Sequence, residues 1–457
     1  MIEILQQNAA VKRLLGREEL RDGAVYHLSQ YAYPYEAGGR HYLYHNLTNQ
    51  LCCLETAPPA ASARFSAEDI RGDRELSALF DAHFLVRERE DEAARYVSLA
   101  KLLTAQQRRG QPKGLHTYTI LPTTACNARC FYCFEQGAKP VTMTTETASR
   151  VVRYIVAHRG NEEVTLRWFG GESLVNAKVI GQICTELREQ GVPFCSVMTS
   201  NGYLFDAEMV QRARDLWQLQ HVMITIDGTE QTYNRVKAFV YRGVNAFERV
   251  LQNIGMLTAA GIHVSIRLNV DNYNIKEMAE LVELLHRRFG TNAHLSVISF
   301  ELYGGERSPE DSATLFAQRM QLEQQIAQCG YRSKQKLLND IKVNCCWADD
   351  NGESVIIVPD GHLGKCEHCI DREFFGHIDS EEREEAIIRK FKERRAEIEA
   401  CATCFYYPQC IRLVMCEKYF CSPEYQQEHL HETMEAMKYE YERYLSNESH
   451  SPYSIKV

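Results

Sequence analysis

Three cysteines share the stretch Cys126-Asn-Ala-Arg-Cys130-Phe-Tyr-Cys133. Their C-x3-C-x2-C spacing lets a short loop turn three thiolates toward one point, and it supplies only three. Soft thiolate donors suit an iron–sulfur cluster. A cubane cluster has four irons, so three protein ligands leave one iron open to another molecule. A structural zinc site closes instead with four protein ligands, and no fourth ligand stands beside these three in the sequence. The loop follows an apolar run, Tyr118 to Leu121, and then Pro122. The thiolates are therefore expected at the end of a strand.

Further along, polar groups recur at the ends of apolar runs. Phe169-Gly170-Gly171-Glu172-Ser173 closes one of them. Paired glycines let a ligand approach the backbone closely, and a carboxylate can bond an ammonium group. An ordinary strand-to-helix turn is the alternative reading. Thr199-Ser200-Asn201-Gly202 and Thr225-Ile-Asp227-Gly228 close the next two runs. Arg267 lies inside a run otherwise made of Val264, Ile266, Leu268 and Val270. A charge there needs a partner, either a ligand carboxylate or a buried salt bridge. A second group of cysteines spans 345–421, and a zinc ribbon or further clusters could be built from it.

The elements that must position these groups follow from periodicity. From Thr117 to about 303 the chain alternates strand and helix patterns, which implies a parallel α/β sheet. Strands are expected at Thr117–Pro122, Val164–Phe169, Cys195–Thr199, His221–Ile226, His263–Val270 and His294–Phe300. The helices between them carry apolar stripes, such as Val151, Val152 and Ile155, or Val179, Ile180, Ile183, Cys184 and Leu187. Thr144 or Thr145 would cap the first helix. Before the barrel, residues 1–112 form a small α+β unit. In it Asn46-Leu47-Thr48-Asn49 turns between two strands, and helical segments run from Ser66 to about Arg109. After it, the cysteine-rich part has little regular pattern apart from a mixed-charge helix over Asp379–Ala400. A terminal helix is expected over Pro423–Tyr444. Cys52, Cys53, Cys184 and Cys195 read as structural.

The chain has 457 residues, enough for two or three domains. Its net charge of −9 gives no basic footprint, so nucleic acid is not an expected partner. No apolar run reaches the roughly 18 residues of a membrane span, and the N-terminus lacks a signal-peptide pattern. Seventeen cysteines in so long a chain, most of them in two groups at 126–133 and 345–421, fit metal-bound thiolates in a reducing cytoplasm better than a disulfide scaffold.

The clamp, with Tyr132 before its third cysteine, resembles the signature of the radical S-adenosylmethionine superfamily. The resemblance implies a partial, TIM-like (β/α)6 barrel, here residues 113–335, with the site at the C-terminal ends of its strands. It implies that the open iron chelates the methionine part of S-adenosylmethionine and that Tyr132 lies against the cofactor. Gly170, Gly171 and Glu172 resemble the family's GGE motif, which holds the methionine amine. Ser200 and Asn201 match the segment that contacts the ribose. Thr225 stands where a hydroxyl residue, usually serine, binds the methionine carboxylate, and Arg267 is a further candidate for that carboxylate.

Cys346, Gly361, Cys366, Cys401, Cys404, Cys410, Cys416 and Cys421 fall in an order similar to the SPASM extension of that superfamily, here residues 336–430, with 431–457 as a final helix and tail. The gap between Cys410 and Cys416 is longer than the family's. The resemblance implies three 4Fe-4S clusters, one radical-generating and two auxiliary. Cys346, Cys366 and Cys416 would hold the first auxiliary cluster, and Cys401, Cys404, Cys410 and Cys421 the second. Cys345 is the nearest candidate for the missing fourth ligand of the first. Cys369 and Cys329 are others, and an iron open to a substrate thiolate is a further option. Glu367 stands where sulfatase-maturing relatives carry an aspartate proposed as the base.

Such a protein would split its cofactor reductively and use a 5′-deoxyadenosyl radical to abstract hydrogen from a substrate. The expected activity is maturation of a ribosomally made peptide through a thioether or related crosslink. A flavodoxin or ferredoxin would supply electrons. The N-terminal unit would act either as a winged-helix-like element that binds a leader segment by strand addition or as a plain structural cap. The rival enzyme is an anaerobic sulfatase maturase making formylglycine. The rival outside catalysis is a zinc or electron-transfer protein.

Overall fold

The computed structural model describes residues 3–6, 13–102, 114–302, 308–331 and 353–391, less short gaps at 17, 38, 47, 49, 96–97, 100–101 and 161–162. Its first unit holds two small sheets. Strands β1 (Glu3–Gln6), β3 (Ala32–Ala37), β4 (Arg40–His45) and β5 (Gln50–Leu54) form one, in the order β1-β5-β4-β3. The expected turn joins β4 to β5 as an antiparallel hairpin with His45 opposite Gln50. β2 (Val25–Leu28) is flanked by β6 (Phe65–Ser66) and β7 (Leu85–Arg87) in the other sheet.

Of the helical stretch expected from Ser66 to about Arg109, residues up to 87 form two short helices and a strand, helical residues return at 92–95 and 98–99, and 103–109 lie outside the described residues. α1 (Ala67–Gly72) starts in a capping box between Ser66 and Asp69. Asp73 closes it and caps α2 (Arg74–Asp81) through the Glu75 and Leu76 amides. His83 then adopts φ +64°, which ends helical propagation, and Leu85–Arg87 joins β2.

The central sheet carries β8 (Thr117–Ile120), β9 (Val164–Trp168), β10 (Phe194–Ser200), β11 (Leu219–Ile226), β12 (His263–Val270) and β13 (Leu295–Glu301), adjacent in sequence order. All five neighbouring pairs are parallel. The six expected strands are these, His263–Val270 with the same bounds and the others shifted at an end by one or two residues. Between them lie α3 (Thr145–His158), α4 (Ala177–Glu189), α5 (Ala207–Asp215), α6 (Glu230–Lys237), α7 (Ala246–Ala259) and α8 (Ile275–Phe289), and α9 (Pro309–Gln328) follows β13. Val164, Leu166 and Trp168 of β9 enter one continuous core with Val151, Ile155 and Ile180 of the helices. The alternate residues Thr165 and Arg167 therefore face the other, concave side.

The region that reads as irregular adds three strands to this sheet. β14 (Ser354–Ile357) runs parallel to β8 with Ile357 opposite Ile120. β15 (His362–Gly364) and β16 (Gly376–His377) continue antiparallel. Short strands joined by a Pro359-Asp360-Gly361 turn give little periodic signal; Gly361, at φ +98°, makes that turn. The mixed-charge helix expected from Asp379 begins only at α10 (Glu385–Lys390). The residues before it are taken up by the turn after β16, where Asp379 meets Arg150 at 2.6 Å. The 392–400 part of that helix and the terminal helix lie outside the described residues. Among the described residues no helix is long and apolar enough to cross a membrane.

Candidate metal and cofactor centre

The cysteine loop leaves the C-terminal end of β8 and is tied down along its length. Thr124 N donates to Val141 O at 2.9 Å, Arg129 N to Lys237 O at 2.8 Å, and Val240 N to Asn127 O at 2.9 Å. Cys133 N donates to Cys130 O at 3.1 Å, which turns these two residues together. Ala128 N points to Cys126 Sγ at 3.4 Å. All three cysteines are free and half-buried. Burial pushes the Cys126 thiol up to about 11, and the charges of Glu172, Cys130 and Cys133 add to it. Cys133 is raised by the same burial and by Cys130. Three neighbouring soft donors, with Cys126 and Cys133 held back from ionising by burial, are a set that a shared cation would relieve. The donor chemistry thus fits an iron–sulfur cluster. Among the described residues no three Cys, His, Asp or Glu side chains already stand converged on one point, so loading would turn the thiols inward.

Gly170 and Gly171 prove necessary for a different reason from ligand approach. A Cβ on Gly170 would meet Thr123 O at 2.4 Å, and one on Gly171 would meet Ala125 O and Thr124 O at 2.5 Å. Gly170 also has φ +118°. The pair lets the cysteine loop lie directly on the end of β9, where Gly171 N and Glu172 N donate to Thr123 O and Ala125 O at 3.2 and 2.9 Å. Glu172 then caps the short 3₁₀ turn Ser173–Asn176 through Leu174 N. Its carboxylate also accepts from Ser200 Oγ at 3.0 Å and Asn201 N at 2.8 Å. Burial raises the Glu172 carboxyl, while these donors oppose the rise. Asn201 reaches Asn127 Oδ1 at 2.7 Å. Glu172, Ser200 and Asn201, expected on separate strand ends, are thus one hydrogen-bonded group beside Cys126.

A second group forms at the ends of β11 and β12. Lys237 and Asp227 are both buried and pair at 2.8 Å. Lys237 Nζ also donates to Tyr132 OH at 2.9 Å and to Thr225 Oγ1. Tyr132 OH donates to Asp227 Oδ2 at 2.9 Å, and Asn269 Nδ2 donates to Asp227 Oδ1 at the same distance. Burial opposes the Lys237 charge, yet Asp227 holds the ammonium protonated well above its ordinary value. Because Thr225 Oγ1 accepts from Lys237, its hydroxyl proton is left to point at a ligand. Arg267, in the adjacent strand, donates from Nε to Asn269 Oδ1 at 2.8 Å and lies over the Phe300 ring.

Sequence reasoning missed Lys237 and Asn269. A signal existed for the lysine, since Tyr233, Val236 and Lys237 make the buried stripe of α6. A lysine on an apolar stripe demands a buried anion. Next to this group a cavity of about 380 Å³ opens between Phe131, Tyr132, Asp227, Arg235, Asp271 and Asn274. Glu135, two residues beyond Cys133, is buried with both carboxylate oxygens unbonded. Burial pushes its carboxyl up to about 7.

Cys366 and Glu367 lie on the turn between β15 and β16, with Glu367 Oε2 3.8 Å from Arg167 on the concave face of β9. Cys345, Cys346, Cys401, Cys404, Cys410, Cys416 and Cys421 lie outside the described residues. Cys52 and Cys184 are fully buried, as expected of structural cysteines.

A half-buried thiol triad thus stands on a loop at the strand ends of a parallel α/β sheet. Residues 120–285 match the model of the Radical SAM superfamily, and this part of the chain is a radical SAM domain. Over 172 residues the chain is 28% identical to the sporulation killing factor maturation protein SkfB of Bacillus subtilis (strain 168), covering 36% of this chain and 38% of that protein. The matched stretches span 38% and 44% of the two curated relatives' lengths. Native anSMEcpe with bound AdoMet superposes with a TM-score of 0.56 at 14% identity, over 73% of this chain and 100% of that one. Streptococcus suis SuiB bound to the precursor peptide SuiA gives 0.51 at 12% identity, over 87% and 99%. At such identities these likenesses speak for the fold, which extends beyond the barrel itself.

Three predictions follow from this geometry. Gly171→Ala forces two carbonyls aside and is expected to cost about 1–3 kcal/mol in urea unfolding, with less iron retained after anaerobic reconstitution. Lys237→Met leaves Asp227 buried and unpaired, an expected loss of about 3–5 kcal/mol. Adding Asp227→Asn should restore part of it in a double-mutant cycle. Glu135 has a folded pKa of about 7 against an ordinary 4.5, so the metal-free fold binds the extra proton between these values. Its stability should therefore fall as pH rises through that window, by up to about 3 kcal/mol, and denaturation of Glu135→Gln should show a flatter pH profile.

Proposed function

We propose that the chain is a radical S-adenosylmethionine enzyme that matures a ribosomally made peptide, forming a thioether or related crosslink. The observation that carries this reading is the packing of the Cys126–Cys133 loop onto Gly170 and Gly171, which sets three thiols beside the Glu172–Ser200–Asn201 group. Cys126, Cys130 and Cys133 would hold three irons of one cluster. Glu172, already wrapped by donors, would take the methionine ammonium, and Ser200 and Asn201 would face the ribose. Thr225, with its proton free, would donate to the methionine carboxylate, with Arg267 close by. Tyr132, fixed by Asp227, Lys237 and Asn269, would form a rigid wall beside the cofactor. When bound, the cluster and cofactor would supply a 5′-deoxyadenosyl radical that takes hydrogen from substrate carbon. The concave face carrying Arg167, Thr225 and Arg267 would receive the substrate and keep water from it.

Similarity to a protein described as a maturation factor, and a fold shared with a protein solved with its precursor peptide, support a peptide substrate. Among the described residues β3 lies at the end of its sheet, paired with β4, and offers an edge to which a leader strand could add. Two auxiliary clusters in the cysteine-rich part and a flavodoxin or ferredoxin donor complete the proposal, which suits a reducing cytoplasm.

Anaerobically reconstituted protein given dithionite and S-adenosylmethionine is expected to release methionine and 5′-deoxyadenosine, and Cys130→Ala to abolish both. Incubation with a cysteine-containing peptide encoded beside the gene should lower its mass by one pair of hydrogens. Bound zinc without iron, or iron without cofactor cleavage, would sink the reading. Formylglycine in a sulfatase peptide would instead assign the chain to sulfatase maturation.

A further inference from the structure

Lys237 is a fully buried cation fastened to the cysteine loop. It ends α6, and its own carbonyl accepts from Arg129 N at 2.8 Å. Three residues later Val240 N donates to Asn127 O at 2.9 Å, so the end of α6 is stitched to the loop on both sides of Ala128. The ammonium reaches the same loop again through Tyr132 OH at 2.9 Å, between Cys130 and Cys133 in the chain. Its counter-ion is anchored elsewhere. Asp227 Oδ1 accepts from Asn269 Nδ2 at 2.9 Å, and the Asp227 carbonyl accepts from Asn274 Nδ2 at 3.0 Å. The pair is therefore oriented, with the ammonium held to the thiol loop and the carboxylate held to residues at and beyond the end of β12.

Such a pair is neutral at a distance and polar close by. Burial raises the Cys133 thiol and the Glu172 carboxyl, and Lys237 pulls both back down. Cys130 adds to what Asp227 does in keeping the lysine protonated. Beyond the effect of burial, the Tyr132 hydroxyl, which touches both charges, is influenced more by the lysine than by the aspartate. The nearby acids act the other way, Glu172 on Cys126 and Glu135 on Cys133. Charges in a site this dry are poorly screened. An uncharged donor could hold Tyr132 as well, and a buried ion pair stabilises little. What the lysine adds is its charge.

We infer that Lys237 sets the reduction potential of the cluster that Cys126, Cys130 and Cys133 bind, its ammonium favouring the reduced state. One electron enters from the reductant, while Lys237 keeps its proton and its bonds. Its charge is thus constant as that of its neighbours becomes more negative, and net charge and hydrogen bonding around the sulfurs are what tune such potentials. The inference rests on the proposed reading that these three cysteines hold a cluster.

The test is an anaerobic redox titration of the reconstituted full chain, followed by EPR. The signal missing from a chain with Cys126→Ala, Cys130→Ala and Cys133→Ala belongs to this cluster. Lys237→Gln with Asp227→Asn removes both charges and keeps polar groups beside Tyr132. It is expected to take up as much iron as the unaltered chain, and at a fixed solution potential its reduced-to-oxidised ratio should fall about tenfold. Lys237→Arg keeps the charge and should stay near the original potential. Should the Gln–Asn pair fail to fold by far-UV circular dichroism, Lys237→Met with Asp227→Asn replaces it, with the same expected shift. An unchanged potential in an iron-loaded uncharged pair would overturn the inference, as would an equal shift in folded Lys237→Arg. Loss of the cluster or of the fold in both uncharged pairs would give Lys237 a structural role alone and overturn it too. In each of these cases cofactor cleavage by the unaltered chain would still support the proposed function. An unaltered chain that binds no iron would end both readings.

Discussion

The site depends on two backbones lying closer together than side chains permit. The carbonyls of Thr123, Thr124 and Ala125 occupy the space where Cβ atoms of Gly170 and Gly171 would be. That contact fixes where the cysteine loop leaves β8, and it fixes Glu172 relative to Cys126 through the Glu172 N to Ala125 O bond. The glycines therefore serve the chain first. Whatever the loop binds is positioned by main-chain hydrogen bonds, which are stiffer than side-chain contacts and indifferent to rotamer choice.

From this anchor the polar groups fall into two sets with different electrostatics. Around Glu172 the donors, Leu174 N, Ser200 Oγ and Asn201 N, are neutral, and they hold a buried carboxylate. Around Asp227 the charge is already balanced by Lys237, and the surplus is hydrogen-bonding direction at Thr225 and Tyr132. An amino-acid ligand, with one ammonium and one carboxylate, matches this division: the first set offers a carboxylate held by neutral donors, and the second can donate without adding charge. A buried ion pair is a poor source of stability but a good means of fixing geometry.

The barrel was legible because its strands and helices obey simple periods, and its parallel strands are apolar enough to stand out. The cysteine loop and the strand-end motifs were legible because their chemistry is tied to short spacings. The Lys237–Asp227 pair was not, since its members are joined through space and each looks like an ordinary helix or loop charge. The reason for Gly170 and Gly171 was hidden as well, because sequence gives a glycine's freedom and not what fills the room it leaves. β14 to β16 escaped because strands of two to four residues are too short to show alternation, and their register depends on β8.

That dependence has a bearing on how the protein is made. β8 is the first strand of the barrel, yet among the described residues its outer edge is covered by Ser354–Ile357, more than two hundred residues later in the chain. While the polypeptide emerges from the ribosome, that edge and the thiol loop attached to it stay uncovered through the synthesis of the whole barrel. An open strand edge invites pairing with other chains, and such distant pairing is slow to form. The window in which metal can enter the loop unhindered is thus also the window of greatest aggregation risk, and both close when the late hairpin docks.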